Sequence, residues 1–462
     1  HILTAETEKI RIQGRTTMSR VNDLDDFEFI EYDDEEQKPK TRKRGKKKKN
    51  MSKGRRSVAQ KLMITFESII AILFAGVIVL YAMPNSTSWL LNSNLGQWFI
   101  KSSWGQQFMA GMVDKDGYQN IYDQDYNQDQ IQTNDEIDLS ILDNYMNIAL
   151  FGLDNGSELD RPTGGSDCIM ILSIHKETSA VKILSIYRDT YMKIIGADGK
   201  TDKVYPYFKV NYAYNAGGAQ AAVNTLNANL DLNIKDYVAV NFNGLAEIID
   251  LLGGIEVNLT EEEMVYVNGY LTETRKVTGM HSPDLTQWGD NIHLDGLQAT
   301  AYSRIRYTPI YLEDGTSLNN DYGRAARQRN VITKMVAKAK EAGLQNVLAM
   351  CDEIFQSEEK IFKTSIPYDD VMKLVPVILN FSFGETSSFP YTLETTDDMH
   401  ITLDSGSTVV AAGFSYNVTQ LHKFLFPEEE YTPSDTVETI SEAIRKETGL
   451  KTIRIEDYAG QN

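Results

Sequence analysis

Arginine and aspartate recur in short clusters in this sequence, and their spacing suits the binding of a phosphate anion. Arg188 and Asp189 follow an apolar run at 181–186, Arg304 and Arg306 close one helical stretch, and Arg324, Arg327, Gln328 and Arg329 open another. Guanidinium forks match phosphate oxygens two at a time, which a lysine ammonium does not. Arg324 and Gln328 are four residues apart and share a face on a helix. Near a helix N-terminus they would add donors where backbone N–H groups and the dipole already favour an anion. Arg304 and Arg306 do not share a helical face, so the chain must leave the helix there for both to converge. A convergent set would suit a dianion or trianion such as pyrophosphate. The competing reading is surface ion pairing, since the chain holds 65 Asp and Glu.

Two acids supply a second half to that chemistry. Asp154 ends the segment ALFGLD, and Asp167 immediately precedes the apolar run CIMILSI. Both carboxylates can lie at one edge of adjacent strands, where oxygen ligands with open positions suit Mg²⁺ bridging to phosphate. Turn or cap chemistry is the alternative for each. Other chemistries lack their signatures. The six histidines show no i,i+4 pair, there is no G-x-S-x-G elbow and no G-x-x-x-x-G-K-[ST] loop. Two cysteines, Cys168 and Cys351, are too few for a disulfide framework, and Cys168 reads as a buried, inert thiol.

The elements that would carry these residues are short. Apolar runs at 147–151, 168–174 and 181–186 predict strands buried on both faces, followed by strands at 237–242 and 255–259. Helices are expected at 219–230, 245–252, 297–303, 324–341, 346–356 and 369–379. Strands interleaved with helices indicate an α/β fold, or α+β, with a central mixed sheet and helices on both faces. Residues 113–138, rich in Asp, Asn and Gln, read as a solvated stalk, and the last thirty residues lack a long apolar face.

The net charge of −19 averages two opposite regions. Residues 1–61 carry 17 basic and 11 acidic side chains; the remainder carries 29 and 54. Between them, residues 62–83 hold a single charge, Glu67, in 22 positions, long enough for one transmembrane helix. The 13 Lys and Arg of residues 38–61 would hold that flank in the cytoplasm. Position beside a span explains this run better than nucleic-acid binding, for which no aromatics interleave. Trp89, Trp98 and Trp104 suit an outer interfacial belt. The expected layout is a disordered cytoplasmic tail at 1–61, a span at 62–83, an interfacial segment and stalk at 84–144, an extracytoplasmic catalytic domain at 145–430, and a C-terminal extension at 431–462. That places the protein in the cell membrane, single-pass, with its N-terminus cytoplasmic.

Taken in order, several short motifs are similar to those of the LytR-CpsA-Psr family. They are G-x-D (152–154), S-D (166–167), S-I-x-R-D-T (185–190), K-x-N-x-A-Y-x-x-G-G (209–218), F-N-G-L-A-E-I-I-D-L-L-G-G-I (242–255), L-x-G-x-Q-A (294–299), Y-S-R-x-R (302–306) and D-Y-G-R-x-x-R-Q (321–328). The resemblance covers about residues 145–340. It implies a membrane-anchored phosphotransferase that moves an anionic glycopolymer from a polyprenyl-pyrophosphate carrier to peptidoglycan, uses Mg²⁺, and holds the lipid tail in an apolar tunnel between sheet and helices. On that resemblance Asp154 and Asp167 are metal ligands. Arg161, Arg188, Lys209, Arg304, Arg306, Arg324 and Gln328 bind pyrophosphate, and Arg188, Asp189, Asp167 and Arg306 act in catalysis. Three departures stand out: Gly165 where the family usually has arginine before S-D, Tyr187 in place of proline, and a longer stretch between Arg306 and Arg324. A plain pyrophosphatase and a non-catalytic wall-binding regulator share the same phosphate apparatus and are the alternatives. The partners implied are the lipid-linked glycopolymer, peptidoglycan and the cytoplasmic membrane, with no nucleic acid.

Overall fold

The computed structural model describes residues 102, 121–134, 136, 142–153, 165–312, 315–356, 362–367, 370–371, 374–375 and 382–458. All but residue 102 of these fall in the domain that carries the motifs, and all belong to the second of two units into which the chain divides, Ile72–Asn462. The expected cytoplasmic tail and the span at 62–83 lie outside the described residues. Among the described residues no helix is long and apolar enough to cross a membrane.

A six-stranded mixed sheet forms the centre. Its strands are β1 (Tyr145–Leu153), β2 (Ser166–His175), β3 (Ala180–Ile186), β6 (Asp236–Asn241), β11 (Phe362–Thr364) and β12 (Ser382–Phe389), in the order β11-β6-β1-β2-β3-β12. The pairs β1/β6 and β3/β12 are parallel and the others antiparallel. The expected mixed sheet with helices on both faces is present. Alternation along each strand sends neighbouring side chains to opposite faces. One face buries Ala149, Phe151, Ile171 and Leu184. They pack against α1 (Tyr212–Leu230), α6 (Phe414–Leu425) and α7 (Asp435–Thr448) through Leu226, Leu421 and Ile440. The opposite face presents Leu150, Met170 and Ser185 to α2 (Phe242–Leu251) and α5 (Asn320–Gln356).

A second apolar cluster sits beside the sheet. It joins α2, the hairpin β7 (Ile255–Leu259) with β8 (Gly289–Leu294), α3 (Glu261–Thr278) and α4 (Gly296–Tyr302) through Ile249, Val257, Leu271 and Leu297. Its helices begin where the sequence supplies caps. Thr260 and Glu263 form a reciprocal capping box on α3, and Asp295 and Gln298 do the same on α4. A Cβ on Gly296 would lie 1.9 Å from the Ala246 carbonyl oxygen, so only glycine lets α2 and α4 approach this closely. Helix α1 consists of two segments joined by a kink at the non-helical Gly217 and Gly218, and the helix expected at 219–230 is its second segment. The two helices expected at 324–341 and 346–356 are present as the two segments of α5, separated by a kink at Gly343, whose φ of 77° is not helical. The helix expected at 369–379 lies largely outside the described residues.

Two expected boundaries need correction. Residues 121–134, read as part of a solvated stalk, are bound to the domain. Ile121 is buried, Tyr122 bridges to Thr364, and Asn134 donates to the Ala228 carbonyl. Asp123 and Asn134 are buried and mate with buried polar groups, while most of the other polar side chains of the segment stay exposed. The extension expected from residue 431 is part of the core as well. Helix α7 buries Val437, Ile440 and Ile444, spaced three and four apart, which is enough apolar face for a 14-residue helix.

Candidate functional site

The register of the sheet gathers one end of it into a site. Because β1 and β6 are parallel and β2 runs against both β1 and β3, the ends of β1, β6 and β3 meet the start of β2. Asp167, second residue of β2, therefore stands across from the turn that follows β3, where Arg188 sits. Arg188 Nη1 donates to Asp167 Oδ1. The turn itself is fixed by the Thr190 amide donating to the Tyr187 carbonyl at 2.9 Å and by the Asn211 amide donating to the Arg188 carbonyl at 3.1 Å. Asp189 lies between two cations, 3.5 Å from Arg188 Nε and 3.3 Å from Lys209 Nζ at the end of β5 (Tyr207–Lys209).

The first turn of α5 completes the cluster. Asp321 Oδ1 is 3.1 Å from Arg324 and 3.2 Å from Arg306, and its Oδ2 is 4.0 Å from Arg188. One carboxylate thus holds three guanidinium groups from three parts of the chain. For Arg188, burial works against the charge, but Asp167, Asp189 and Asp321 outweigh it and hold the pKa above the ordinary arginine value. Burial lowers the pKa of Arg324 and the nearby Arg188 and Arg306 lower it further, against the pull of Asp321. The cluster is crowded with positive charge, and an incoming anion would relieve it. Asp321 was not singled out in the sequence, because an acid in a first helical turn reads as a cap or dipole partner. Its placement three residues before Arg324, inside D-Y-G-R, was the available signal.

The cluster opens onto a cavity of about 480 Å³ between the sheet and the helices. Leu150, Met170, Val238 and Val240 from the sheet, Leu245 and Ile248 from α2, and Val331, Ile332 and Met335 from α5 line it. Arg304, Arg306, Arg324, Gln328 and Asp167 also border it, so a charged region and an apolar one share a single space. A long apolar tail with an anionic head fits that distribution. Arg304 is held apart from the Asp321 cluster. It donates to Thr274 Oγ1 at 2.8 Å, pairs with Glu273 at 3.3 Å and stacks over Phe242, with 4.6 Å from guanidinium carbon to ring centre.

Of the residues expected in the site, the structure brings together Arg188, Asp189, Asp167, Lys209, Arg306, Arg324 and Gln328, with Arg304 on the cavity wall. Asp154 and Arg161 lie outside the described residues. Asp167 suits a hard cation in kind, being a partly exposed carboxylate whose Oδ2 accepts no hydrogen bond from a described residue. Among the described residues no three His, Cys, Asp or Glu side chains group as metal ligands. Burial pushes the Cys168 thiol up to about 12, in keeping with an inert wall residue.

The departures from the family pattern have local causes. A Cβ on Gly165 would lie 2.7 Å from the Asn211 carbonyl oxygen, so no side chain fits there. The Tyr187 amide donates to the Phe389 carbonyl at 3.1 Å, a bond that proline could not make, and its ring packs edge-on against Tyr322. The longer stretch after Arg306 forms a small hairpin, β9 (Ile310–Tyr311) with β10 (Ser317–Leu318), that leads directly into α5. Arg327 roots this hairpin. It is fully buried, pairs with Glu263 at 2.7 Å and donates to the Thr308 carbonyl at 3.0 Å.

A model described as the LytR_cpsA_psr family matches residues 112–405. Among curated proteins, a polyisoprenyl-teichoic acid–peptidoglycan teichoic acid transferase, TagU of Enterococcus faecalis, is 33% identical over 240 residues, covering 52% of this chain and 67% of its own. Biofilm regulatory protein A of Streptococcus mutans is 30% identical over 240 residues, covering 49% of this chain and 54% of its own. Among solved structures, protein gbs0355 of Streptococcus agalactiae aligns with 70% of this chain and 98% of its own, at 22% identity and a TM-score of 0.47. TagT of B. subtilis aligns with 66% and 92%, at 18% identity and a TM-score of 0.41, and another TagT structure carries bound octaprenyl pyrophosphate. With its family model matched over more than half of its length, this chain belongs to the LytR-CpsA-Psr family.

Proposed function

We propose that this protein is a phosphotransferase that moves an anionic glycopolymer from a polyprenyl-pyrophosphate carrier to peptidoglycan. The observation that carries the reading is the convergence of Arg188, Arg306 and Arg324 on Asp321 at the edge of an apolar cavity. The names of the curated relatives support the substrate class, since several are polyisoprenyl-teichoic acid–peptidoglycan transferases. The cavity takes the polyprenyl tail, and the arginines take the pyrophosphate, displacing part of their contact with Asp321.

In the reaction an acceptor sugar hydroxyl attacks the polymer-linked phosphorus in line. A new P–O bond forms to the acceptor, the bond to the bridging oxygen breaks, and the polyprenyl phosphate leaves with the electron pair. Arg188, Arg306 and Arg324 stabilise the charge that grows on the leaving phosphate and the equatorial oxygens. Asp189 orients Arg188 and Lys209 by lying between them. Asp167, with Asp154, would hold Mg²⁺, which when bound polarises the phosphoryl oxygens. A carboxylate of that pair would take the acceptor's proton. The membrane anchor at 62–83, with the N-terminus cytoplasmic, belongs to the same reading and rests on the sequence.

Arg188→Ala and Arg306→Ala should each cost about 2–4 kcal/mol of transition-state stabilisation, or roughly 30- to 1,000-fold in rate. The measurement is release of polyprenyl phosphate from lipid-linked polymer, with and without peptidoglycan oligomers. Rates within a few-fold of wild type in both variants would remove the arginines from the mechanism. Equal release without the acceptor would make the protein a pyrophosphatase instead.

A further inference from the structure

Arg329 lies one residue beyond Gln328 on α5 and is only 6% exposed. Its Nη1 donates to Ser185 Oγ at 3.0 Å and to Ser388 Oγ at 2.7 Å, while its Nε is buried with no acceptor. Among the described residues no carboxylate acts on it electrostatically; burial lowers its pKa, and the neighbours that oppose this are Tyr187 and Cys168. A buried cation without a counter-ion is costly. The same helix compensates its other two buried arginines, for Arg327 is paired with Glu263 and Arg324 with Asp321. Among the described residues, the lack of an anion is therefore specific to Arg329.

What surrounds Arg329 shows where the anion belongs. Ser185 and Tyr187 line a small cleft together with Arg188, Asp321, Arg324 and Gln328. A serine hydroxyl has one proton to donate and two lone pairs. Ser185 Oγ accepts from Arg329, and its own O–H meets no acceptor among the described residues. The guanidinium occupies the accepting side of the hydroxyl and leaves the proton free to point into the cleft.

We propose that Ser185 is a further anion-binding residue of the phosphate site, and that Arg329 is the positioning residue that orients its hydroxyl and supports it with uncompensated positive charge. This deepens the pyrophosphate reading above and rests on it. A bound pyrophosphate supplies the counter-charge that no described residue gives Arg329. The pair should therefore show opposite effects on stability and on binding, which a merely structural arginine would not.

The test uses the full chain with inorganic pyrophosphate and with geranylgeranyl pyrophosphate, following affinity by calorimetry and the thermal midpoint without ligand. Ser185→Ala should lower affinity about tenfold, as loss of one hydrogen bond to a charged group does. Arg329→Met should lower it by about tenfold or more while leaving the ligand-free midpoint unchanged or raised. Adding Ser185→Ala to Arg329→Met should cost little more, because the two act as one unit. Arg329→Lys, which keeps the charge, should lie between wild type and Arg329→Met. If Arg329→Met does not fold, Arg329→Gln takes its place in the same comparison. Affinity within twofold of wild type in Ser185→Ala, or strictly additive losses in the double variant, would overturn the proposal. Arg188→Ala separates the two levels. If it also binds pyrophosphate normally, the phosphate-site reading fails; if it alone loses binding, only the role of Ser185 and Arg329 fails.

Discussion

At Asp321 a single carboxylate serves three guanidinium groups, the same balance of charge that a bound anion would strike among them. A different kind of single-residue balance is found on the other face of the sheet. His422 is buried, its Nε2 is 2.8 Å from the Leu230 carbonyl oxygen, and its ring stacks on Tyr431 at 3.5 Å. Burial pushes its pKa down to about 4, against the opposing effects of the Leu230 carbonyl and Asp231. The unfolded chain therefore takes up this proton first as pH falls. Stability from His422 should be complete above about pH 6.5, decline down to pH 4 and then level off, for a total near 3 kcal/mol. Urea unfolding of wild type and His422→Gln between pH 7 and 4 tests this; parallel pH dependence in the two would contradict it. The arginine clusters were legible in the sequence because guanidinium chemistry shows in residue type alone. Asp321, Ser185 and His422 were not, because their roles depend on which neighbour folding brings to them.

Helix α5 does three things at once, and its periodicity keeps them apart. Asp321, Arg324 and Gln328 face the arginine cluster, Val331, Ile332 and Met335 face the cavity, and Arg327 faces Glu263. The Arg327–Glu263 pair ties α5 to the start of α3, where Glu263 also accepts the Thr260 amide at 3.0 Å. Arg327→Met should cost about 3–5 kcal/mol, since it leaves Glu263 buried and unpaired. Arg327→Met combined with Glu263→Gln should recover a good part of that loss. Denaturant unfolding of the single and double variants reads the difference, and equal destabilisation in both would show that the pair is not the cause. The helix itself was legible from its apolar spacing. Its start at Asn320 was not, because the apolar spacing begins only further along, although Asn319 before it is a favoured cap residue. The strands of the sheet were the clearest elements, since continuous apolar runs flanked by turn residues have few other uses. The segment 121–134 was misread because its polar composition is the same whether the partner is water or buried backbone.

For the whole molecule, the apolar core extends past the region that the family model matches, because α6 and α7 cover one face of the sheet beyond residue 405. A chain ending at Glu430 should lose the Val437, Ile440 and Ile444 side chains from that core and expose the groups they cover. Cooperative thermal unfolding should be lost or its midpoint lowered by well over 10 °C, the shift expected for losing several buried side chains. An unchanged midpoint would restore the view of these residues as an appendage. The opposite kind of tolerance follows from the hairpin of β9 and β10. Its root is clamped by Arg327 on the Thr308 carbonyl, while Arg306 just before it and Asp321 just after it are tied directly to each other. The intervening residues can then vary in length and composition without moving either anchor. Changes of length within this hairpin should therefore be absorbed at the surface, as a spring absorbs slack between two fixed posts, while the Arg306–Asp321 contact stays in place.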